Sequence, residues 1–244
     1  MSARELSDSL SWLVGGTSFL FRVVDRLDDD QLREPSALPG WTRAHVIGHV
    51  ARNAEALGRL AAWARTGLET PMYTSPMQRD ADIEASAALP ADRLRAELTS
   101  TASELTAALD ELDEKTWQTT LLSAQGRLIP ATEVPWLRVR EVWLHAVDLA
   151  AGARLTDLPD GVLDALLGDV AATMSAREGC PSVVLEPTDR EQTWRLGLPD
   201  ATPVALRGTA AELTGWLVGR EPGEDLTARG PRGQVQVPAA PRWL

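Results

Sequence analysis

Four long segments in the first 152 residues repeat apolar side chains at the three- and four-residue spacing of a helix. They run from about residue 3 to 27, from Thr42 to Gly67, from about 91 to 112 and from about 132 to 152. Each pattern covers only one face, so each helix needs neighbours against which to bury it. Four helices that can run antiparallel predict an up-down four-helix bundle.

The ends of these helices carry local signals. Thr42 and Thr132 are predicted N-caps of the second and fourth helices, because a threonine hydroxyl can accept from a free backbone N–H. Gly15-Gly16 predicts an interruption of the first helix. A short helix is expected at about 78–88, and residues 118–131 are expected to be irregular.

The pattern changes after Gly152, where short β-type runs bounded by turn residues replace long helical stripes. Residues 153–160 are a predicted linker. The expected elements after it are a helix at 161–178, strands at 182–186, 192–196 and 202–206, a helix at 210–220 and an extended tail. The predicted fold class is therefore α+β, with a helical bundle over residues 1–152 and a smaller α/β C-terminal domain over 161–244.

Charge and composition exclude several classes of protein. The net charge of -11 disfavours binding to nucleic acid or anionic membranes, which requires basic patches. No apolar run approaches the ~18 residues of a membrane span, and the N-terminus lacks the apolar core of a signal peptide. Cys180 is the single cysteine, so the chain cannot form an intramolecular disulfide. We expect a cytoplasmic protein.

The three histidines of the chain lie on two of the predicted bundle helices. His45 and His49 are four residues apart on the second helix, and Glu141 and His145 have the same spacing on the fourth, so each pair shares a helix face. If the two helices pack together, imidazoles and one carboxylate converge, and three such ligands with an open fourth position are typical of catalytic zinc. For Glu141 and His145 alone, a buried Glu–His pair or a solvated helix face is the commoner explanation, by roughly three to one, and His49 alone is more often a core histidine.

No other catalytic motif is evident. The chain has no G-x-S-x-G nucleophile motif and no glycine-rich phosphate loop, and Cys180 has no histidine near it in sequence. Arg220 ends a predicted helix. It is either a favourable charge at a helix C-terminus or a group that grips a carboxylate with its planar fork.

Two groups of motifs resemble one known family. In the first domain, Leu38-Pro39-Gly40-Trp41-Thr42 precedes His49, and Arg140-Glu141-Val142-Trp143 precedes His145 and Asp148. In the second, Arg207-Gly208-Thr209-Ala210-Ala211-Glu212-Leu213 precedes Trp216-Leu217 and Gly219-Arg220. Together they resemble the mycothiol-dependent maleylpyruvate isomerases, within the DinB-like superfamily of metal-binding four-helix bundles.

The resemblance implies roles for individual residues. His49, Glu141 and His145 would be the metal ligands, with Zn²⁺ as the metal, whereas His45 matches a position that is not a ligand. Arg220 would be catalytic and would bind substrate or the thiol cofactor, mycothiol. Arg79 lies near a further basic position of the family and is a second candidate for cofactor binding.

The implied reaction is the cis-trans isomerisation of maleylpyruvate to fumarylpyruvate in the gentisate pathway of aromatic compound degradation. Zn²⁺ would lower the pKa of the bound thiol, and the thiolate would add to the double bond, allow rotation and leave. We expect a monomer that binds a small-molecule substrate and a low-molecular-weight thiol. A mycothiol S-transferase acting on another electrophile and a non-catalytic binding protein remain alternatives on the same scaffold.

Overall fold

A computed structural model describes residues 5–240 and 243 of the chain. The chain divides into two compact units, and the division falls between Ala153 and Arg154. Among the described residues, no helix has both the length and the apolar character needed to cross a bilayer.

The first unit is built on five helices: α1 (Leu6–Val24), α2 (Arg43–Thr66), α3 (Pro76–Ala87), α4 (Ala91–Asp110) and α5 (Val134–Asp148). Helix α1 packs mainly on α5, whereas α2 packs on both α4 and α5 and is covered by α3. The last helix thus lies between the first and the second. Most of the buried side chains between α1, α2, α4 and α5 are aliphatic, and the predicted four-helix bundle is confirmed.

The second unit contains two helices, α6 (Asp160–Ser175) and α7 (Ala210–Leu217), and a five-stranded sheet. Its strand order is β4-β3-β5-β6-β7, in which β3 and β5 are parallel and the other pairs antiparallel. The helices pack on each other and on the sheet. This mixed unit confirms the predicted α+β class. The strands are β3 (Val183–Pro187), β4 (Trp194–Leu196), β5 (Val204–Gly208), β6 (Thr227–Gly230) and β7 (Gly233–Val235).

Helix α2 begins and ends where the sequence predicts. The Thr42 hydroxyl accepts from the backbone N–H of His45, and Gly67 closes the helix with a φ of 75°. The predicted cap of the fourth helix is wrong. Thr132 lies in a 3₁₀ turn, Ala131–Glu133, and the N-cap of α5 is Glu133, because this turn already leads the chain into the helix.

Other predicted boundaries also need correction. Residues 118–131 are not irregular but form a hairpin of β1 (Thr120–Leu122) and β2 (Leu128–Pro130). The tail is not merely extended, because β6 pairs with β5 and buries Ala228. The fourth helix ends at Asp148 rather than near Gly152, and the helices of the second unit end at Ser175 and Leu217. The predicted linker contains a 3₁₀ turn, Leu155–Asp157.

Helix α1 continues through Gly15-Gly16 without the predicted interruption. The second glycine is instead a site of close approach between helices. A Cβ at Gly16 would lie 2.5 Å from Cγ2 of Val142 and 2.6 Å from Nε1 of Trp143. That indole also donates to the carbonyl of Trp12 at 3.0 Å, which fixes its position. The contact between α1 and α5 therefore requires a residue without a side chain at position 16.

The two glycines make a matched pair for a stability test. We expect Gly16→Ala to lower the free energy of unfolding by about 1–3 kcal/mol through overpacking. Gly15→Ala should be neutral or stabilising by up to about 1 kcal/mol, because its Cβ would meet the Trp143 ring at an ordinary 3.6 Å and alanine favours a helix. Chemical denaturation of both variants checks this, and equal effects would contradict the close packing of α1 on α5.

Candidate metal centre

The contact between α2 and α5 brings a column of polar side chains from each helix together. His49 and Asn53 are four residues apart on α2, and Arg138, Glu141 and His145 follow one another on α5 at three- and four-residue spacing. Such spacings place each set on one helix face. His49, Asn53 and Arg138 are buried, and the side chains of Glu141 and His145 are only 17% and 12% exposed.

Glu141 lies between the two imidazoles. Its Oε2 is 2.9 Å from Nε2 of His49 and 3.2 Å from Nε2 of His145. All three side chains are at least four-fifths buried, with 17%, 8% and 12% of the Glu141, His49 and His145 side chains exposed. One donor atom from each residue lies within 4.8 Å of the others. Ligands at about 2.0–2.1 Å around a tetrahedral ion are about 3.3 Å apart, so the donor set and its spacing fit a metal ion.

The electrostatics of the cluster favour an ionised carboxylate. Burial by itself would raise the pKa of Glu141, but the hydrogen bonds and charges of His145 and His49 outweigh it and hold the pKa well below its usual range. Burial lowers the pKa of His49, an effect that its hydrogen bond to Glu141 only partly offsets. The cluster thus offers an anionic oxygen and a neutral imidazole, the states in which these groups bind metals.

Asp148 holds the second imidazole in place. Its fully buried carboxylate lies 2.8 Å from Nδ1 of His145. Burial disfavours the charged imidazole, but the hydrogen bonds to Asp148 and Glu141 prevail and raise the pKa of His145 to about 9. A metal that binds at Nε2 would displace the proton that this nitrogen carries at neutral pH. The proton kept on Nδ1 would still face the carboxylate of Asp148, a common arrangement for histidine ligands. The sequence predicts no role for Asp148. Its position three residues after His145, on the same helix face, is the one sequence signal for this hydrogen bond.

His45 lies outside this cluster and is fully engaged elsewhere. Its Nδ1 accepts from the backbone N–H of Thr42 at 3.2 Å, which completes the capping box of α2. Its Nε2 is 3.2 Å from the carboxylate of Glu84 on α3. The ring of Trp41 packs beside both histidines, with its centroid 5.5 Å from that of His49 and 6.3 Å from that of His45.

The two arginines suggested by the resemblance lie in different units. Arg79, on α3, places Nη2 3.4 Å from Nδ1 of His49, and it also contacts Asp80 and the Tyr73 ring. Arg220 follows α7 in the second unit, where its Nη1 donates to the carbonyl of Val218 at 2.9 Å. A hydrogen bond to a carbonyl at the end of a helix is typical of a basic side chain near a helix C-terminus. The structure thus brings Arg79 to the cluster, whereas the role of Arg220 in binding stays a prediction.

Comparison with protein-family models matches both units. Residues 15–150 match the mycothiol maleylpyruvate isomerase N-terminal domain, and residues 157–237 match the C-terminal domain of the same family. Comparison with curated protein sequences gave no match.

Solved structures extend the match over the whole fold. A crystal structure of the mycothiol-dependent maleylpyruvate isomerase is 36% identical, with a TM-score of 0.90 and 98% of each chain covered. A histidine-to-alanine mutant of that isomerase matches at 35% identity with the same TM-score and coverage. YfiT from Bacillus subtilis, described as a probable metal-dependent hydrolase with an unusual four-helix bundle topology, matches at 19% identity and a TM-score of 0.51. That match covers 62% of this chain and 86% of YfiT, and it shows the fold alone.

The two histidines of α2 give a direct test of the cluster. We expect His49→Ala to abolish stoichiometric binding of a divalent metal, because it removes one of three donors. His45→Ala should retain most of the metal, since that ring contacts Thr42 and Glu84 instead. Elemental analysis after gentle purification measures both. Equal loss in the two variants would mean either that His49 is not the histidine that binds the metal or that both histidines are ligands.

Proposed function

The chain belongs to the mycothiol-dependent maleylpyruvate isomerase family, and on that basis we propose that it converts maleylpyruvate to fumarylpyruvate with Zn²⁺ and mycothiol as cofactors. The observation that carries the proposal is the buried cluster of His49, Glu141 and His145, in a chain that matches a solved isomerase over 98% of its length. The gentisate route of aromatic degradation is the proposed metabolic setting of this isomerase.

Zinc is the metal we propose, because the family resemblance implies it and this donor set fits it. Two imidazoles and one carboxylate are a recurrent protein ligand set of catalytic zinc, and they leave a fourth position for an exogenous ligand. When bound, Zn²⁺ would lower the pKa of a thiol at that position, so that the thiolate is present at neutral pH. Asp148 supports this assignment, because it fixes the ring orientation of His145 and the nitrogen that faces the ion.

The nucleophile of the proposed reaction has to come from a small thiol. Cys180 is the only cysteine of the chain, and it lies in the second unit. Burial raises the pKa of its thiol, and its Sγ is 3.7 Å from the carbonyl of Pro181. A thiol with a raised pKa is a poor nucleophile at neutral pH. This supports the use of an external thiol cofactor.

Arg79 is the proposed anion-binding group of the first unit. An imidazole that binds a metal through Nε2 carries its proton on Nδ1, so Nδ1 of His49 would become a donor. A guanidinium has only donors, and it could then no longer bond to that nitrogen. Arg79 would turn to an anionic ligand instead, a carboxylate of the substrate or of the thiol cofactor.

Arg220 is the proposed contribution of the second unit. The resemblance of Gly219-Arg220 to the family motif supports a role in binding substrate or the thiol cofactor. The planar guanidinium fork suits a carboxylate, and maleylpyruvate carries two.

Turnover of maleylpyruvate by zinc-loaded protein tests the proposal directly. We expect fumarylpyruvate to form in the presence of mycothiol and not in its absence, because Cys180 is the only cysteine and burial raises the pKa of its thiol. A covalent mycothiol adduct as the final product would indicate the S-transferase alternative. If neither product forms when zinc is fully loaded, the result contradicts an enzymatic role on this substrate.

Substitution of Arg220 tests the proposed part of the second unit. We expect Arg220→Ala to lower kcat/KM by about 30- to 1000-fold, the equivalent of about 2–4 kcal/mol for a lost charge-assisted pair, with zinc content unchanged. Arg220→Lys should restore only part of it, because a point charge does not replace a planar fork. Wild-type kcat/KM in Arg220→Ala would reduce this residue to a helix-end charge.

A further inference from the structure

Arg138 is a buried cation that lies one helical turn before Glu141 on α5. It is 1% exposed, and its Nη1 donates to the carbonyl of Val50 at 2.6 Å and to Oδ1 of Asn53 at 2.9 Å. Both acceptors are neutral oxygens, and Nη2 has no hydrogen-bond partner among residues 5–240 and 243. Burial lowers the pKa of Arg138 to about 10, an effect that the charges of Glu141 and Tyr73 partly offset, so the guanidinium is a cation at neutral pH. A buried guanidinium that bonds to neutral oxygens is unusual, because a paired anion normally offsets the cost of burying a charge.

The hydrogen bonds of Arg138 place its guanidinium in the polar layer next to the candidate ligands. His49 on α2 meets Glu141 on α5 at 2.9 Å. Asn53, one turn after His49, meets Arg138, one turn before Glu141, across the same pair of helices. Side chains at three- and four-residue spacing are neighbours on a helix face, so the two contacts follow each other at about the 5.4 Å pitch of a helical turn. The cation thus lies directly beside the cluster.

The electrostatic role of this cation changes when a divalent ion binds. Without an ion, the carboxylate of Glu141 and the guanidinium of Arg138 each reduce the cost of burying the other. An ion bound by Glu141 and the two imidazoles would take over the charge of that carboxylate. The charge of Arg138 would then act on the ligand at the open position, where it favours an anion. Arg79 is a second cation near His49, but its Nη1 is already paired with Asp80 at 2.9 Å.

We propose that Arg138 is a positioning residue whose fixed charge makes the open position of the metal centre selective for anions, and for a thiolate over the neutral thiol. The inference rests on the proposed metal centre and, for the thiol, on the proposed function. A thiol that binds there releases its proton to solvent, and Arg138 neither gains nor loses a proton. A unit charge roughly 10 Å from an anion, at an effective dielectric constant of about 20, changes the affinity for that anion by about tenfold.

Asn53→Asp tests the role of the charge, because it neutralises the guanidinium and keeps the size of the side chain. The new carboxylate still accepts from Nη1 of Arg138, now as an ion pair. In cobalt-loaded protein, whose visible spectrum reports the ligands of the ion, we expect the Kd of azide to rise about tenfold. The pKa of mycothiol at the cobalt ion, measured from the pH dependence of its thiolate charge-transfer band, should rise by about one unit.

Arg138→Met removes the charge together with the hydrogen bonds to Val50 and Asn53. We expect the same increases in the azide Kd and in the pKa of the thiol as with Asn53→Asp. Cobalt should bind at least as tightly as in wild type, since a nearby cation disfavours a divalent ion. Arg138→Lys keeps a charge without the planar fork, and its azide Kd should stay within about threefold of wild type. A raised azide Kd in Arg138→Lys equal to that in Arg138→Met would contradict the role of the charge.

Arg43→Met is the matched control, because Arg43 also joins α2 to α5. Its Nε donates to the carbonyl of Leu149 at 2.8 Å and its Nη2 to that of Ala150 at 3.1 Å, at the C-terminal end of α5. Its charge, however, is already paired with Glu34 at 2.6 Å. We expect the Tm to fall while the azide Kd and the pKa of the thiol keep their wild-type values. Changes equal to those in Arg138→Met would show that loosened helix packing determines anion binding, and would overturn the inference.

The azide measurement separates this inference from the proposed function. Wild-type protein that binds azide about tenfold more tightly than Asn53→Asp and Arg138→Met, yet does not isomerise maleylpyruvate, would support the role of the charge and overturn the proposed function. Equal azide Kd values in wild type and both variants would overturn the role of the charge even where turnover is observed. A wild-type protein that binds no cobalt, or whose cobalt ion takes no azide, would overturn it as well, because the centre would then offer no open position to an anion.

Discussion

The buried carboxylate of Glu141 is the group on which the rest of the first unit depends. An ionised carboxylate in an aliphatic core is strongly unfavourable unless partners compensate its charge. Here two imidazoles bond to it directly, and Arg138 contributes its positive charge from one turn away. These partners come from α2 and α5 alone, so the two helices have to pack in one register.

Small residues allow α1 and α3 to pack closely against α5 and α2. Gly16 lets α1 approach α5, and Gly48, next to His49, lets α3 approach α2, where a Cβ would lie 2.8 Å from that of Ser86. The approach of α3 matters for the chemistry, because this helix carries Arg79 to the Nδ1 side of His49. The bundle thus supplies the candidate metal ligands, and α3, which packs on α2, supplies a cation beside them.

Part of this architecture could be predicted from the sequence, because it depends on local spacing. The helical stripes indicated the bundle, and Thr42 and Gly67 marked the ends of α2. The scarcity of histidine indicated that imidazoles of two helices would meet Glu141, and the family resemblance selected His49 over His45. The strands of the C-terminal tail and the hairpin before α5 were missed, since they depend on pairing with distant or short partner strands.

The polar side chains around the candidate metal cluster could not be predicted from the sequence for a related reason. Asp148 shares a helix face with His145, which spacing alone could suggest, but Tyr73 lies in an irregular segment between α2 and α3. Its ring lies 5.9 Å from the Arg79 guanidinium, a contact that exists only in the folded chain. A donor set for a metal can therefore be predicted from sequence periodicity, whereas the polar groups that border it have to be observed in the structure.

X-ray absorption at the zinc edge, recorded with and without mycothiol, tests the central claim most directly. The account predicts nitrogen and oxygen ligands at about 2.0–2.1 Å in the thiol-free protein and one additional sulfur at about 2.3 Å after mycothiol is added. A zinc ion whose four ligands all come from the protein and do not change when mycothiol is added would contradict it, because such a closed site is structural rather than catalytic.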